Sequence, residues 1–144
     1  MIKYRRAFIV GLKSTRLSNS EITFLRKYKP WGIILFSRNI SSVKQTKKLT
    51  DKIKSVFKDK KYPILIDQEG GRVSRLNKII SFENLSSEYF GHLFEKDKKK
   101  FYITYKLFVD KTSYLLKSMG VNINTVPVLD LKTHGSSNII GDRS

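Results

Sequence analysis

The chain has 144 residues, of which 40% are hydrophobic and 28% charged, and its formal net charge is +17. This length suits one domain with a hydrophobic core and is too short for most two-domain designs. Because cysteine is absent, disulfide frameworks and thiolate metal sites are excluded. The first apolar run stops at Gly11, whereas a signal peptide needs about 7–15 apolar residues and a membrane span about 20. We therefore expect a cytoplasmic protein without membrane contact.

The positive charge comes mainly from lysine, with 21 lysines among the 29 basic residues, spread along the whole chain. Arginine is the usual side chain for reading bases and gripping phosphates, and no zinc-ligand spacing, RNP-like strand or GxxG clamp is present. Several lysines fall on the polar side of a helical pattern, namely Lys47, Lys48, Lys52 and Lys54. We therefore interpret the charge as a solvated surface and expect no nucleic-acid partner.

Predicted strands alternate with predicted helices along the chain. Apolar runs predict strands at 7–11, 31–36 and 63–66, and an alternating pattern predicts a fourth at 121–126. Helices are predicted from the capping box at Ser18 to Pro30, after Ser41 or Ser42, and from Asp97 to Met119, with a long loop at 67–87. This α/β order favours parallel βα units. It fits half of a (β/α)8 barrel or most of a doubly wound sheet, and periodicity does not separate the two.

Polar residues follow each predicted strand. Ligands of parallel sheets bind where the loops at the carboxyl ends of the strands converge. The candidates for one shared cleft are Arg38, Asp67, Glu69 and Asp130. Ser37 and Asn39 are interpreted instead as ordinary polar residues at a solvated strand end.

The segment Asp67–Arg75, with the sequence DQEGGRVSR, combines two acids and two arginines around a glycine pair. Glycines let the backbone turn sharply. A carboxylate accepts hydrogen bonds from hydroxyl groups and a guanidinium group donates them, so the segment suits a polyol or an anion. The alternative is a salt-bridge network that only shapes the loop. Because neither GxGxxG nor GxxxxGK[ST] is formed, a nucleotide-phosphate loop is disfavoured.

Four segments match known motifs in order: PWGIILFSRN at 30–39, IDQEGGRVSR at 66–75, GVNINTVPVLD at 120–130 and IGDRS at 140–144. They resemble the GxILFxRN, DQEGGRVxR, GIxxxxAPVLD and IGDRSF stretches of bacterial family 3 glycoside hydrolases of the β-N-acetylhexosaminidase type. The resemblance implies that residues 1–144 are the N-terminal part of the catalytic domain. The expected fold is the first half of a (β/α)8 TIM-type barrel, incomplete at its C-terminus.

The resemblance also implies hydrolysis of a terminal β-linked N-acetylglucosamine with retention of configuration, in the recycling of muropeptides. It implies that Asp67, Arg75 and Arg143 bind an N-acetylglucosamine-containing saccharide. Possible support for the loop or the site comes from Arg38, Glu69, Arg72 and Asp130. We expect no cofactor and no metal.

The catalytic residues of the family lie later in its sequences than IGDRS: a KH segment, an Asp-x-His pair that acts as acid/base, and an aspartate nucleophile. His92 and His134 do not match that pair. The resemblance therefore predicts a truncated chain that contains no catalytic residue and is inactive alone, and leaves its oligomeric state open. The alternatives are a β-glucosidase-type family 3 hydrolase, or a non-catalytic half-barrel that binds sugar or nucleic acid.

Overall fold

The computed structural model describes residues 4–131 and 140–144. The strands are β1 (Arg6–Gly11), β2 (Pro30–Leu35), β3 (Ile64–Ile66) and β4 (Ile123–Asn124). The α-helices are α1 (Asn19–Tyr28), α2 (Val43–Phe57), α3 (Ser87–Lys96) and α4 (Lys98–Ser118), and short 3-10 helices occupy Ser37–Asn39 and Gly141–Arg143. In these ranges no helix has the length and apolar character needed to cross a membrane.

The strands form one sheet in the order β1-β2-β3-β4, and each strand is parallel to the next. The register pairs Ile9 with Gly32, Ile33 with Ile64, and Leu65 with Ile123. This confirms the predicted parallel βα order. A doubly wound sheet reverses its strand order at a switch point, whereas this order follows the chain throughout, as in a (β/α)8 barrel.

The core lies between the sheet and its helices. All three residues of β3 are buried, and Leu25 of α1, Ile53 of α2 and Leu115 of α4 pack into the same cluster. Burying an aliphatic side chain of this size stabilises the fold by about 1.5–3 kcal/mol. Below β2, the ring of Tyr62 stacks on Phe57 with centroids 3.9 Å apart, and its hydroxyl donates to a backbone carbonyl at 2.7 Å.

The predicted starts of α1 and α2 are confirmed, and α1 ends just before Pro30, as predicted. The Ser18 hydroxyl accepts from the amide of Glu21 at 3.2 Å, and the Glu21 carboxylate accepts from the amide of Ser18 at 2.8 Å. The Ser42 hydroxyl accepts from the amide of Gln45 at 3.1 Å and so caps α2. Lys29 is the C-cap of α1, and its φ of 51° turns the chain. Pro30 then begins β2, because the first residue of a strand tolerates proline.

The predicted helix from Asp97 to Met119 is confirmed as α4, but α3 was not predicted. Asp97 ends α3 and caps α4, accepting from the amide of Lys100 at 2.9 Å. The break at this residue divides the lysine cluster at 96–100 between two helices. Within α3, Phe90 is the buried residue. Tyr89, Phe90, Leu93 and Phe94 keep helical spacing, so the sequence did contain a signal for this helix.

The fourth strand is shorter than predicted, because side chains replace part of its backbone ladder. The Asn122 side-chain oxygen accepts from the amide of Ile64 at 2.8 Å, and that of Asn124 accepts from the amide of Gln68 at 3.0 Å. Gly120, with φ of 78°, ends the preceding helix as predicted.

Candidate functional site

The loop at residues 67–86 (the 67–86 loop) is folded around one buried amide side chain. Gln68 is 1% exposed. Its side-chain oxygen accepts from the amides of Arg75 at 2.8 Å and Leu76 at 3.2 Å, and its nitrogen donates to Ser74 at 3.1 Å. Gln68 therefore holds the second half of the loop against the end of β3. Sequence analysis missed this role, because it depends on burial of the side chain.

Gly70 and Gly71 allow the sharp backbone turn that the sequence predicts. Gly70 and Gly71 have φ angles of 98° and 55°, in the left-handed region where glycine is favoured. A Cβ on Gly70 would collide with the carbonyl oxygen of Leu85, and one on Gly71 would lie 2.9 Å from Ser86 Cβ. Since the two halves of the 67–86 loop touch here, larger residues do not fit.

Asp67 and Arg75 lie together at the end of β3. A guanidinium nitrogen of Arg75 is 3.5 Å from a carboxylate oxygen of Asp67, and these side chains are 25% and 27% exposed. The hydroxyl of Thr125 donates to the other oxygen of Asp67. The Nε–H of Arg75 is buried and has no hydrogen-bond partner among residues 4–131 and 140–144. A buried donor without a partner costs about 1–3 kcal/mol, which a ligand oxygen can recover.

Two further ion pairs join residues 140–144 to the 67–86 loop. Arg143 donates two hydrogen bonds to the carboxylate of Glu69, both 2.8 Å long. Arg72 pairs with Asp142 at 2.8 Å and donates to the carbonyl of Ile140 at 3.0 Å. The loop after β3 and the IGDRS segment therefore form one surface.

Charge also concentrates around Arg143. The hydrogen bond to Glu69 raises the pKa of Arg143, and the nearby carboxylates of Asp130 and Asp67 raise it further. Asp130 is exposed. The candidates from β3, from the segment after β4 and from IGDRS thus lie within electrostatic reach of one another.

Arg38 reaches the same region through an aromatic ring. Its guanidinium carbon lies 4.6 Å from the centre of the Phe36 ring, and that of Arg75 lies 5.5 Å from it. Arg38 Nε donates to the carbonyl of Leu12 at 2.8 Å. Arg38 therefore ties the end of β1 to the end of β2, next to Arg75.

The interpretation of Asn39 as a solvated residue is wrong. Asn39 is 0% exposed. Its nitrogen donates to the carbonyls of Leu12 at 3.1 Å and Ser14 at 2.8 Å, and its oxygen accepts from the amide of Phe36 at 2.9 Å. Burial of a polar side chain is tolerated because every hydrogen-bonding atom has a partner. Asn39 therefore holds the segment after β1 against the segment after β2.

The histidines of the sequence lie apart from these residues or beyond the described ranges. His92 lies on α3, at an exposed position. His134 is outside the residues that the structure describes. Within residues 4–131 and 140–144, no group of three or more histidine, cysteine, aspartate or glutamate side chains could hold a metal ion.

Known proteins that resemble this chain include β-hexosaminidases. A β-hexosaminidase from Alkalilimnicola ehrlichii is 37% identical over 140 residues, which are 94% of this chain and 38% of that protein. Another, from Methylobacillus flagellatus, is 32% identical over 143 residues, again 94% of this chain and 38% of the relative. The chain thus spans 38% of the length of these curated relatives. No protein-family model matches it.

Solved structures agree with the sequence matches. NagZ from Neisseria gonorrhoeae, in complex with N-trifluoroacetyl-D-glucosamine, matches with a TM-score of 0.85 and 29% identity, over 97% of this chain and 41% of that one. A family 3 β-N-acetylglucosaminidase from Paenibacillus sp. str. FPU-7 gives 0.68 and 25%, over 86% of this chain and 23% of that one. The present chain is therefore a homologue of the N-terminal region, about 40%, of bacterial β-hexosaminidases of glycoside hydrolase family 3.

Proposed function

We propose that this chain forms the sugar-binding part of a β-N-acetylhexosaminidase site, in which Asp67, Arg75 and Arg143 bind a terminal N-acetylglucosamine. The observation that carries the proposal is the pairing of Asp67 with Arg75 at the end of β3, where each side chain remains about a quarter exposed. Ligands of parallel sheets bind at this end of the strands. The N-acylglucosamine seen in the NagZ complex belongs to the same class of ligand.

The three side chains divide the work of binding a polyol. Asp67 presents two carboxylate oxygens, one of which Thr125 already holds in place. Arg75 contributes guanidinium donors, including the buried Nε–H that has no partner in the described residues. Arg143 adds positive charge and is fixed by its two hydrogen bonds to Glu69. Neighbouring sugar hydroxyls both donate and accept, so a carboxylate beside a guanidinium group suits them.

We further propose the complete reaction to which this binding belongs. It is hydrolysis of a terminal β-linked N-acetylglucosamine with retention of configuration, in cytoplasmic recycling of muropeptides. Asp67 and Glu69 are each paired with a guanidinium group. We therefore assign the described residues to sugar binding and not to the chemical step. We therefore expect the 144-residue chain alone to bind sugar without hydrolysing it.

Binding is tested with N-trifluoroacetyl-D-glucosamine, whose fluorine atoms report contact by 19F NMR. Asp67→Asn and Arg75→Gln should each weaken binding about ten- to a hundredfold, since a hydrogen bond to a charged group contributes about 1.5–3 kcal/mol. The matched controls are Asp51→Asn and Arg26→Gln, which alter exposed residues on α2 and α1 and should bind like the unchanged chain. Equal affinity in all five proteins would contradict the site.

Two further measurements separate the alternatives. Release of nitrophenol from 4-nitrophenyl N-acetyl-β-D-glucosaminide should stay at the background rate, and enzymatic turnover would disprove the non-hydrolytic part of the proposal. Sugar binding should change little with salt, whereas binding to phosphates weakens steeply as salt rises. An oligonucleotide that bound more tightly than the sugar at moderate salt would favour a nucleic-acid module.

A further inference from the structure

A cavity lies beside the candidate sugar site. Its volume is about 700 Å³, and it is lined by α3, α4 and the segment after β4, with Glu69 at one side. Five aromatic side chains line it: Phe90, Phe94, Phe101, Tyr105 and Phe108. Cavities of this size with mostly apolar walls and a few polar groups are typical of small-molecule sites.

The aromatic side chains hold one another in fixed orientations. The rings of Phe90 and Tyr105 meet edge to face, with centroids 4.9 Å apart and planes at 82°. Phe94 and Phe101 meet in the same way at 5.2 Å and 82°. Aromatic rings attract further rings in edge-to-face or offset arrangements. The walls are therefore organised for a ligand that contains a ring.

The charge of the lining argues for an uncharged ligand. The whole chain carries 29 lysines and arginines, yet none of those within residues 4–131 and 140–144 lines this cavity. Among the described lining residues Glu69 is the charged one, and both of its carboxylate oxygens are bound by Arg143. A charged ligand would lose its hydration here without gaining an opposite charge.

One buried polar group in the wall lacks a partner in the described part of the chain. Thr112 of α4 is 5% exposed, and its hydroxyl has no hydrogen-bond partner among the described residues. Since Thr112 is one of the residues that line the cavity, a ligand group bound beside it can satisfy this hydroxyl. A ligand with a single hydrogen-bonding group would match it.

A glycine keeps the cavity open on the side of α3. Gly91 lines the cavity in the middle of that helix, and a Cβ at this position would meet nothing within 4 Å. Glycine weakens a helix interior, and no close contact requires it here. Its small size leaves room for a ligand.

From these features we propose that the cavity binds a neutral, ring-containing small molecule with one hydrogen-bonding group, of the phenol class. The ring packs among the aromatic side chains of α3 and α4, and the polar group pairs with Thr112. This site is separate from Asp67 and Arg75, so it stands whether or not the sugar proposal holds.

The probes are p-cresol and toluene, which differ by one hydroxyl group, titrated into the full chain by NMR and calorimetry. The unchanged chain should bind one p-cresol, more tightly than toluene. Thr112→Val should weaken p-cresol binding about fivefold, the value of one neutral hydrogen bond, and leave toluene binding unchanged. Thr112→Ser keeps a hydroxyl and should restore most of the difference.

A second variant tests the location. Gly91→Met places a side chain in the open space and should weaken both probes at least tenfold, while Gly91→Ala serves as the control and should keep most of the binding. Both changes favour the helix, so folding is retained. Absence of p-cresol binding, or an equal loss of both probes in Thr112→Val, would overturn the proposal. Self-association abolished by Gly91→Met, without bound p-cresol, would assign the cavity to a second copy of the chain instead.

Discussion

The guanidinium group of Arg143 holds the carboxylate of Glu69 through two 2.8 Å hydrogen bonds, although 74 residues separate them in the chain. Glu69 is the more buried partner, at 11% side-chain exposure against 24% for Arg143. Two parallel hydrogen bonds between a guanidinium group and a carboxylate fix the relative orientation of the two groups as well as their distance. The IGDRS segment is therefore positioned by the first turn of the 67–86 loop.

Glu69→Gln should loosen this connection. The change keeps the shape of the side chain and removes its charge, so the free energy of unfolding should fall by about 1–3 kcal/mol. Urea denaturation measures the loss, and hydrogen exchange at the amide of Arg143 should become faster. Asp51→Asn removes an exposed ion pair with Lys47 and should change stability by less than about 0.5 kcal/mol. Equal effects of the two changes would show that the pair between Glu69 and Arg143 stabilises the fold no more than an exposed ion pair does.

The cap of α1 should make stability depend on pH. Burial opposes ionisation of Glu21, but the amides of Lys13 and Ser18 donate to its carboxylate and lower its pKa below the ordinary 4.5. A lowered pKa means that the extra stability is present above pH 4.5 and is lost as the pH falls through the lowered value. Glu21→Ala should cost about 1 kcal/mol at pH 7, and this cost should shrink in acid. In Glu21→Gln, which does not titrate, the difference from Glu21→Ala should stay constant with pH.

Gly120→Ala should destabilise the contact between α2 and α4. The residue has φ of 78°, and an added Cβ would lie 2.5 Å from the hydroxyl oxygen of Thr50. That hydroxyl donates to the carbonyl of Met119 at 2.7 Å, so strain and a lost hydrogen bond add to about 2–3 kcal/mol. Gly91→Ala is the matched control, and should stabilise α3 by up to about 1 kcal/mol. Thermal melts of both variants measure these changes in stability. A shift of Tm in the same direction for both variants would contradict the prediction.

Gln68→Met should unfold the 67–86 loop, although Gln68 is not one of the proposed sugar-binding residues. The thioether cannot accept from the amides of Arg75 and Leu76, and buried amides without partners cost about 2–4 kcal/mol together. Sugar binding should fall with stability, because Arg75 loses its position. Asn77→Ala removes an exposed contact to Glu83 and should leave both quantities unchanged. A stable Gln68→Met chain with full sugar affinity would show that Gln68 does not organise the site.

The 144-residue chain should associate in solution. In the described ranges β1 and β4 each pair with one neighbour, and open sheet edges invite pairing with other chains. Tyr102, Leu107 and Tyr114 of α4 are each at least 64% exposed, which adds apolar surface. Sedimentation should give a mass above the monomer value of 16.8 kDa at raised concentration. A cooperative monomer at all concentrations would contradict this expectation.

The sequence predicted the elements whose signals are local. Ile64–Ile66 is an unbroken apolar run, and the Ser18 cap needs only residues three positions apart. The roles of Asn39 and Gln68 were missed because each depends on partners that meet only in the fold. The pairing of Glu69 with Arg143 was missed for the same reason. The sugar-binding roles of Asp67, Arg75 and Arg143 stay predictions.

The strand order has a consequence for how the protein is made. Each strand pairs with the strand that precedes it in the chain, so no strand has to wait for a distant one before it finds a partner. Domains form from the N-terminus during synthesis, at about 5–20 residues per second. The sheet can therefore grow one strand at a time as the chain leaves the ribosome. The ion pair between Glu69 and Arg143 forms after the rest of the described fold, when residue 143 has emerged.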